Sequence, residues 1–130
     1  MKTVTRWLKK HEFESRQDHN LILLDGSMQQ GFSPKALLLS GLAGCTGIDV
    51  VDILAKQRVV FTSLQVDVEA EQTDTHPRVF KEVLITYRVK TAAVNEEKVK
   101  KAIDLSLEKY CGVSAMLKKN SPILYQLILE

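Results

Sequence analysis

The sequence predicts an α+β fold with elements in the order βββ-α-ββ-α-β. Three observations carry that expectation. Phe61 to Glu71 and Phe80 to Lys90 alternate apolar and polar residues, the period of a half-buried strand. Ser33 to about Arg58 and Asn95 to Lys119 instead carry apolar residues at helical spacing. Strands therefore come in runs separated by single long helices, which argues against a wound parallel sheet.

Taken in order, Val4 to Leu8 and Glu12 to Ser15 are short strands joined by the turn Lys9-Lys10-His11. Trp7 alternates with Arg6 and Leu8 and is expected in the core. Leu21 to Leu24 is a third strand, ended by the turn pair Asp25-Gly26. Ser27 to Phe32 is a polar connection. Ser33 then suits an N-cap and Pro34 the first helical position, where a missing N–H costs nothing. The helix that follows carries Leu37, Leu38, Leu39, Leu42, Ile48, Val50, Val51, Ile53 and Leu54, with almost no polar face. A helix apolar all round is expected to be buried. Gly41, Gly44 and Gly47 would each cost about 1 kcal/mol against Ala in an exposed helix. Small residues at Ser40, Gly41, Ala43 and Gly44 thus mark a place where another backbone comes close. The two alternating strands form a hairpin across Gln72 to Arg78. Asn95 is placed to cap the second helix, with Glu96 and Glu97 in its first turn, where the macrodipole favours acid. Asn120 to Pro122 stops that helix, and Ile123 to Leu129 is the last strand.

At 130 residues the chain reads as one domain, residues 1–130, long enough for a real core and without repeats, low-complexity tracts or a linker. A hydrophobic content of 45% with 26% charged residues is ordinary for a soluble globular protein. A net charge of +2 is too small to argue for nucleic acid or an anionic membrane as a partner. Lys2, Arg6, Lys9 and Lys10 stand near the N-terminus without the apolar run of a signal peptide. Asp49 and Asp52 interrupt the one long apolar stretch, which is read as too short to span a bilayer. A cytoplasmic protein is expected.

The candidate chemistry is carried by two cysteines. Cys45 sits in the middle of the smooth apolar helix and Cys111 on the second helix, on one face with Ile103, Leu107 and Ser114. Each is read in two ways: a small hydrophobe packed in a helix, or half of a redox dithiol. Asp49, one turn beyond Cys45, would raise a nearby thiol's pKa. In a reducing compartment a permanent structural disulfide is not expected. No metal is expected, because His11, His19 and His76 show no ligand spacing with the cysteines. Gly41-x-x-Gly44-x-x-Gly47 lies inside a helix and lacks the Gly-Lys-Ser/Thr ending of a phosphate loop.

Ser33-Pro34 followed by Leu42-Ala43-Gly44-Cys45 resembles the first cysteine motif of the osmotically inducible protein C (OsmC) and organic hydroperoxide resistance (Ohr) family. Lys109 to Ser114 resembles that family's second cysteine segment, and the element order matches along nearly the whole chain. The resemblance implies an OsmC-like fold in which two long central helices are wrapped by antiparallel sheets in an intertwined homodimer, with active sites at the subunit interface. It also implies a thiol-dependent peroxidase acting on organic hydroperoxides. Cys45 would attack the O–O bond and Cys111 would resolve the sulfenic acid to a disulfide. No cofactor is implied beyond an external dithiol reductant, typically a lipoyl group on a protein. The chain departs from the Ohr branch in two places: Lys35 follows Pro34 where that branch has a Glu, and no single residue aligns with the N-terminal Arg that pairs with that Glu. The Arg that pairs with that Glu has candidates here in Arg6, Lys9, Lys10 and Arg16. Lys35 and Arg16 are accordingly the cations named for stabilising the thiolate or binding substrate. The competing readings are a small-ligand binding protein on the same dimeric fold, with packing cysteines, and another thiol-based detoxification reaction.

Overall fold

The structure is a computed structural model that describes residues 1–130. The chain forms two compact units, Met1–Leu39 and Ser40–Glu130, and helix α1 (Pro34–Lys56) begins in the first and continues through the second.

In the first unit, β1 (Val4–Lys9), β2 (Glu12–Gln17) and β3 (Asn20–Asp25) form the antiparallel meander that the turn residues predict. Lys10 and Asp18, at φ 48° and 54°, supply the left-handed residues of its two turns. Trp7 is not a core residue. It is 61% exposed, and its indole N–H donates to the Lys10 carbonyl at 2.9 Å, so the ring supports the β1–β2 turn. After β3 the buried carboxylate of Asp25 accepts the backbone N–H groups of Ser27, Gln29 and Gln30 at 2.8, 3.2 and 3.0 Å. The chain then closes back on β3, with Phe32 N–H on the Leu23 carbonyl at 3.2 Å. Gly31 allows this: a Cβ there would lie 2.5 Å from the Leu23 carbonyl oxygen.

The second unit is built on β4 (Phe61–Gln72), β5 (Phe80–Thr91) and β6 (Ile123–Leu129), in the order β4-β5-β6. The α+β class and the element order are as expected, but two details differ. β4 and β5 are antiparallel, whereas β6 pairs with β5 in parallel, from Val83↔Ile123 to Val89↔Leu129. The sheet is therefore mixed. A helical crossover between β5 and β6 is the connection a parallel pair requires, and residue alternation has the same period in both arrangements. As the central strand, β5 buries Val83, Ile85, Tyr87 and Val89 completely.

The second difference is in the crossover. The long second helix is three pieces: α2 (Glu96–Leu105), a π-helical turn (Ser106–Tyr110) and α3 (Gly112–Leu117). Asn95 does not cap α2 with its side chain. Its amide donates to Thr91 Oγ1 at 3.0 Å, and the helix starts from a 3-10 turn over Ala93–Asn95.

Helix α1 buries a single stripe, Leu42, Thr46, Val50 and Leu54, at the i, i+4 spacing of one helix face. Leu38, Ile48 and Val51 are 50%, 64% and 41% exposed, so the helix is not buried all round within the chain. Within the chain the space beside two of its small residues is open: a Cβ at Gly41 or Gly44 would meet nothing within 4 Å. At 23 residues α1 is long and apolar enough, by length and composition alone, to cross a membrane, contrary to the reading of Asp49 and Asp52 as disqualifying. What it does in the fold is pack its buried stripe inside the second unit, where Thr46 and Asp49 bond to β5 and the π turn.

Candidate active site: a thiol pair beside a buried hydroxyl chain

The site begins with a change of helical phase. In an α-helix each N–H bonds the carbonyl four residues back. Here the Cys111 N–H bonds the Ser106 carbonyl, five residues back, at 2.7 Å. The extra residue turns everything after it by about 100° relative to a continuous α-helix, from 3.6 residues per turn. Cys111 itself leaves helical geometry, with φ −76° and ψ 103°, and becomes the N-cap of α3. Its Sγ accepts the Ser114 N–H at 3.3 Å. The Leu107 carbonyl, freed from the ladder, lies 3.4 Å from both Ser114 Oγ and Lys118 Nζ.

The structure brings Cys45 and Cys111 together. Both are free thiols; Cys45 is half-buried and Cys111 is 3% exposed. Burial pushes the Cys111 thiol above its ordinary pKa. The Ser114 N–H opposes that shift, and a hydrogen bond with the Cys45 side chain adds to it. Burial and the contact with Cys45 thus both favour the protonated form of this thiol.

Four polar side chains, beginning with Thr46 next to Cys45 in sequence, form one hydrogen-bonded chain. Thr46 Oγ1 is 2.7 Å from Tyr87 Oη and 2.7 Å from Ser106 Oγ, and Ser106 Oγ is 2.9 Å from Asp49 Oδ2. A carboxylate only accepts, so the direction of the whole chain follows from Asp49. Ser106 donates to Asp49, Thr46 donates to Ser106, and Tyr87 donates to Thr46. Thr46, Tyr87 and Ser106 are fully buried, and each hydroxyl is satisfied, as burial demands. Burial holds the Tyr87 phenol far above its usual pKa, which keeps it a donor. Its ring meets Tyr125 edge-on at 5.8 Å and 87°. Tyr125 Oη donates to Asp104 Oδ1 at 2.8 Å, and burial with that carboxylate pushes the Tyr125 phenol up to about 12. A cavity of about 260 Å³ opens beside the Cys111 turn, lined by Asp104, Leu107, Glu108, Ser114, Lys118, Ile123 and Tyr125.

The two cations named from the sequence lie in the first unit. Lys35 is exposed in the first turn of α1, ten residues ahead of Cys45. Arg16, on β2, places Nε 3.5 Å from Glu14 Oε1, which also takes Arg6 at 2.8 Å. The Asp49 carboxylate, one turn beyond Cys45, is the acceptor for Ser106. The sequence does not single out Thr46, Tyr87 or Ser106, and it places Ser114 only on the face of Cys111. The available signal was polar residues at core positions: Thr46 inside an apolar helix, and Ser106 and Ser114 on the apolar face of the second.

The family model for OsmC-like protein matches residues 25–125. The chain belongs to the OsmC-like family. Protein YhfA of Escherichia coli K12 is 32% identical over 121 residues, covering 92% of this chain and 90% of its own. Among solved structures, an OsmC-like protein from Mycoplasma pneumoniae superposes with a TM-score of 0.87 at 19% identity, covering 98% and 95% of the two chains. The organic hydroperoxide resistance protein OhrB of Bacillus subtilis gives 0.68 at 18% identity, over 98% and 96%. At these identities both structures speak to the fold. Of these two folds, that of the first superposes more closely on this chain.

Proposed function

We propose that this protein is a cytoplasmic, homodimeric, thiol-dependent peroxidase of organic hydroperoxides. The observation that carries the reading is the pairing of two free cysteines 66 positions apart in the chain, one half-buried and one buried. The Cys45 thiolate attacks the distal oxygen of ROOH. The O–O bond breaks, the alkoxide takes a proton and leaves as ROH, and Cys45 becomes a sulfenic acid. The Cys111 sulfur then attacks the Cys45 sulfur. An S–S bond forms, the S–O bond breaks, and the Cys111 proton leaves with the hydroxyl as water. An external dithiol, such as a lipoyl group on a partner protein, returns both thiols by exchange and is itself oxidised.

The exposed Leu38, Ile48 and Val51 and the open space over Gly41 and Gly44 support a second copy against α1. They also support an apolar hydroperoxide over hydrogen peroxide as substrate. Lys35 and Arg16 are the cations proposed to assist at the thiolate or the substrate.

The test is intact-mass and free-thiol analysis after a near-stoichiometric dose of cumene hydroperoxide, with hydrogen peroxide in parallel. Rapid loss of both thiols to one Cys45–Cys111 disulfide, faster with the organic peroxide, supports the reading. Two intact thiols after long exposure overturn it in favour of a binding protein with packing cysteines. Sedimentation of the wild type and of Ile48→Glu tests the dimer; a monomeric wild type rejects it.

A further inference from the structure

Ser106 joins the two halves of the thiol site through every polar atom it has. Its carbonyl accepts the Cys111 N–H at 2.7 Å and so closes the π turn. Its own N–H bonds back to Ala102 and Ile103 of α2. Its hydroxyl donates to Asp49 and accepts from Thr46, both on α1. Thr46 is the residue after Cys45, and Asp49 lies one turn beyond Cys45 on the same helix face. The residue whose carbonyl closes the π turn onto Cys111 is therefore pinned to the turn of α1 that carries Cys45.

We propose that Ser106, anchored by Asp49 and Thr46, is the positioning residue that makes Cys45 and Cys111 a ready disulfide pair. The proposal rests on the reading of the two cysteines as a dithiol, though not on the identity of the oxidant. A disulfide forms only when the two Cα atoms lie within about 7 Å and the Cβ vectors converge. Holding both sulfurs in that geometry before reaction raises their effective concentration toward each other. Without the anchor, the π turn keeps its sequence but loses its fixed relation to α1. The segment can then relax toward an ordinary α-helix, in which Cys111 is rotated away. In this account Asp49 acts through its hydrogen bond from Ser106.

The experiment is an equilibrium titration of the full-length protein in glutathione buffers of varied redox ratio. Acid quenching and counting of free Cys45 and Cys111 by mass give the disulfide fraction. Disulfide formation here exchanges the two protein thiols for one molecule of oxidised glutathione, releasing two of reduced glutathione, so no peroxide is needed. Ser106→Ala removes the anchor and Asp49→Ala removes its acceptor. Asp49→Asn keeps an oxygen that can accept from Ser106. We expect Ser106→Ala and Asp49→Ala each to lower the equilibrium constant for the Cys45–Cys111 disulfide at least tenfold, or about 30 mV. Asp49→Asn should stay within about threefold of the wild type, an effect of well under 1 kcal/mol by the usual conversion. Asp49 is half-buried, so its alanine variant reports even where Ser106→Ala fails to fold. Wild-type equilibria for both alanine variants overturn the proposal, whatever happens to their thermal stability. A wild-type protein that is inert to cumene hydroperoxide but shows these shifts loses the peroxidase reading and keeps this one.

Discussion

The two cysteine-bearing segments solve different problems with the same kind of local sequence. Around Cys45 the chain is a regular helix. Its site is made by what the helix leaves uncovered, since only the stripe Leu42, Thr46, Val50 and Leu54 is buried. Around Cys111 the helix is broken, and the site is made by what it buries. A regular helix can present a half-buried thiol without strain, because its backbone groups are already paired. Bringing a second thiol to it from another element required a change of phase, and the π turn supplies that change. In the proposed cycle two chemically identical side chains therefore take different parts: half-buried Cys45 attacks and buried Cys111 resolves.

The largest effect that would break this assignment is at Cys45. Cys45→Ser should lower hydroperoxide consumption at least about a thousandfold, as expected on losing a nucleophile. A variant consuming peroxide at the wild-type rate through Cys111 would reverse the two roles. Cys111→Ser is expected to act later in the cycle. The first oxidation should survive, but Cys45 should accumulate as sulfenic acid and gain a second oxygen with excess peroxide. Turnover with a dithiol reductant should fall roughly tenfold or more, on the scale of losing one positioned reactive group. A disulfide-free cycle at full speed in this variant would make Cys111 a packing residue.

Next in size is the polar chain between the segments. Thr46→Val is nearly isosteric and removes both the acceptor for Tyr87 and the donor to Ser106, all of them fully buried. The expected cost is about 1–3 kcal/mol, that of leaving a buried polar group unsatisfied. Chemical denaturation of the variant measures it. An unchanged unfolding free energy would show that the chain contributes orientation without stability.

How much of this arrangement is legible from residues alone depends on the period of the signal. Strands β4, β5 and β6 can be read nearly to their ends, because alternation has a period that a sheet face enforces. That period is blind to direction, so nothing in Ile123 to Leu129 distinguishes a parallel partner from an antiparallel one. The apolar stretch around Cys45 announces a helix but not how much of it one chain covers. The exposed Ile48 and the buried Val50 are equivalent as letters. The π turn is harder still. Val99, Ala102 and Ile103 lie buried at helical spacing, and the segment after them reads as one more turn, although Tyr110 is 54% exposed and Cys111 is 3% exposed. One inserted residue leaves no compositional trace. Its trace is Ser106, a serine at a core position whose partners, Thr46 and Asp49, lie about 60 residues earlier.

The smallest expected effect sharpens the same contrast by pH. The folded state holds the Cys111 thiol above its ordinary value, chiefly by burial. In the unfolded chain a cysteine ionises near 8.5, so the folded state binds more protons as pH rises past that value. Stability should therefore decline from there toward the folded pKa, and Cys111→Ala should flatten the decline. Iodoacetamide reads the same difference directly, because it reacts with thiolate. Across the range in which free cysteines ionise, half-buried Cys45 should be alkylated before buried Cys111, with a ratio of about tenfold or more in rate. Alkylation of both at one rate would mean that Cys111 is as open as Cys45, and that the break in the second helix exposes a thiol instead of reserving it.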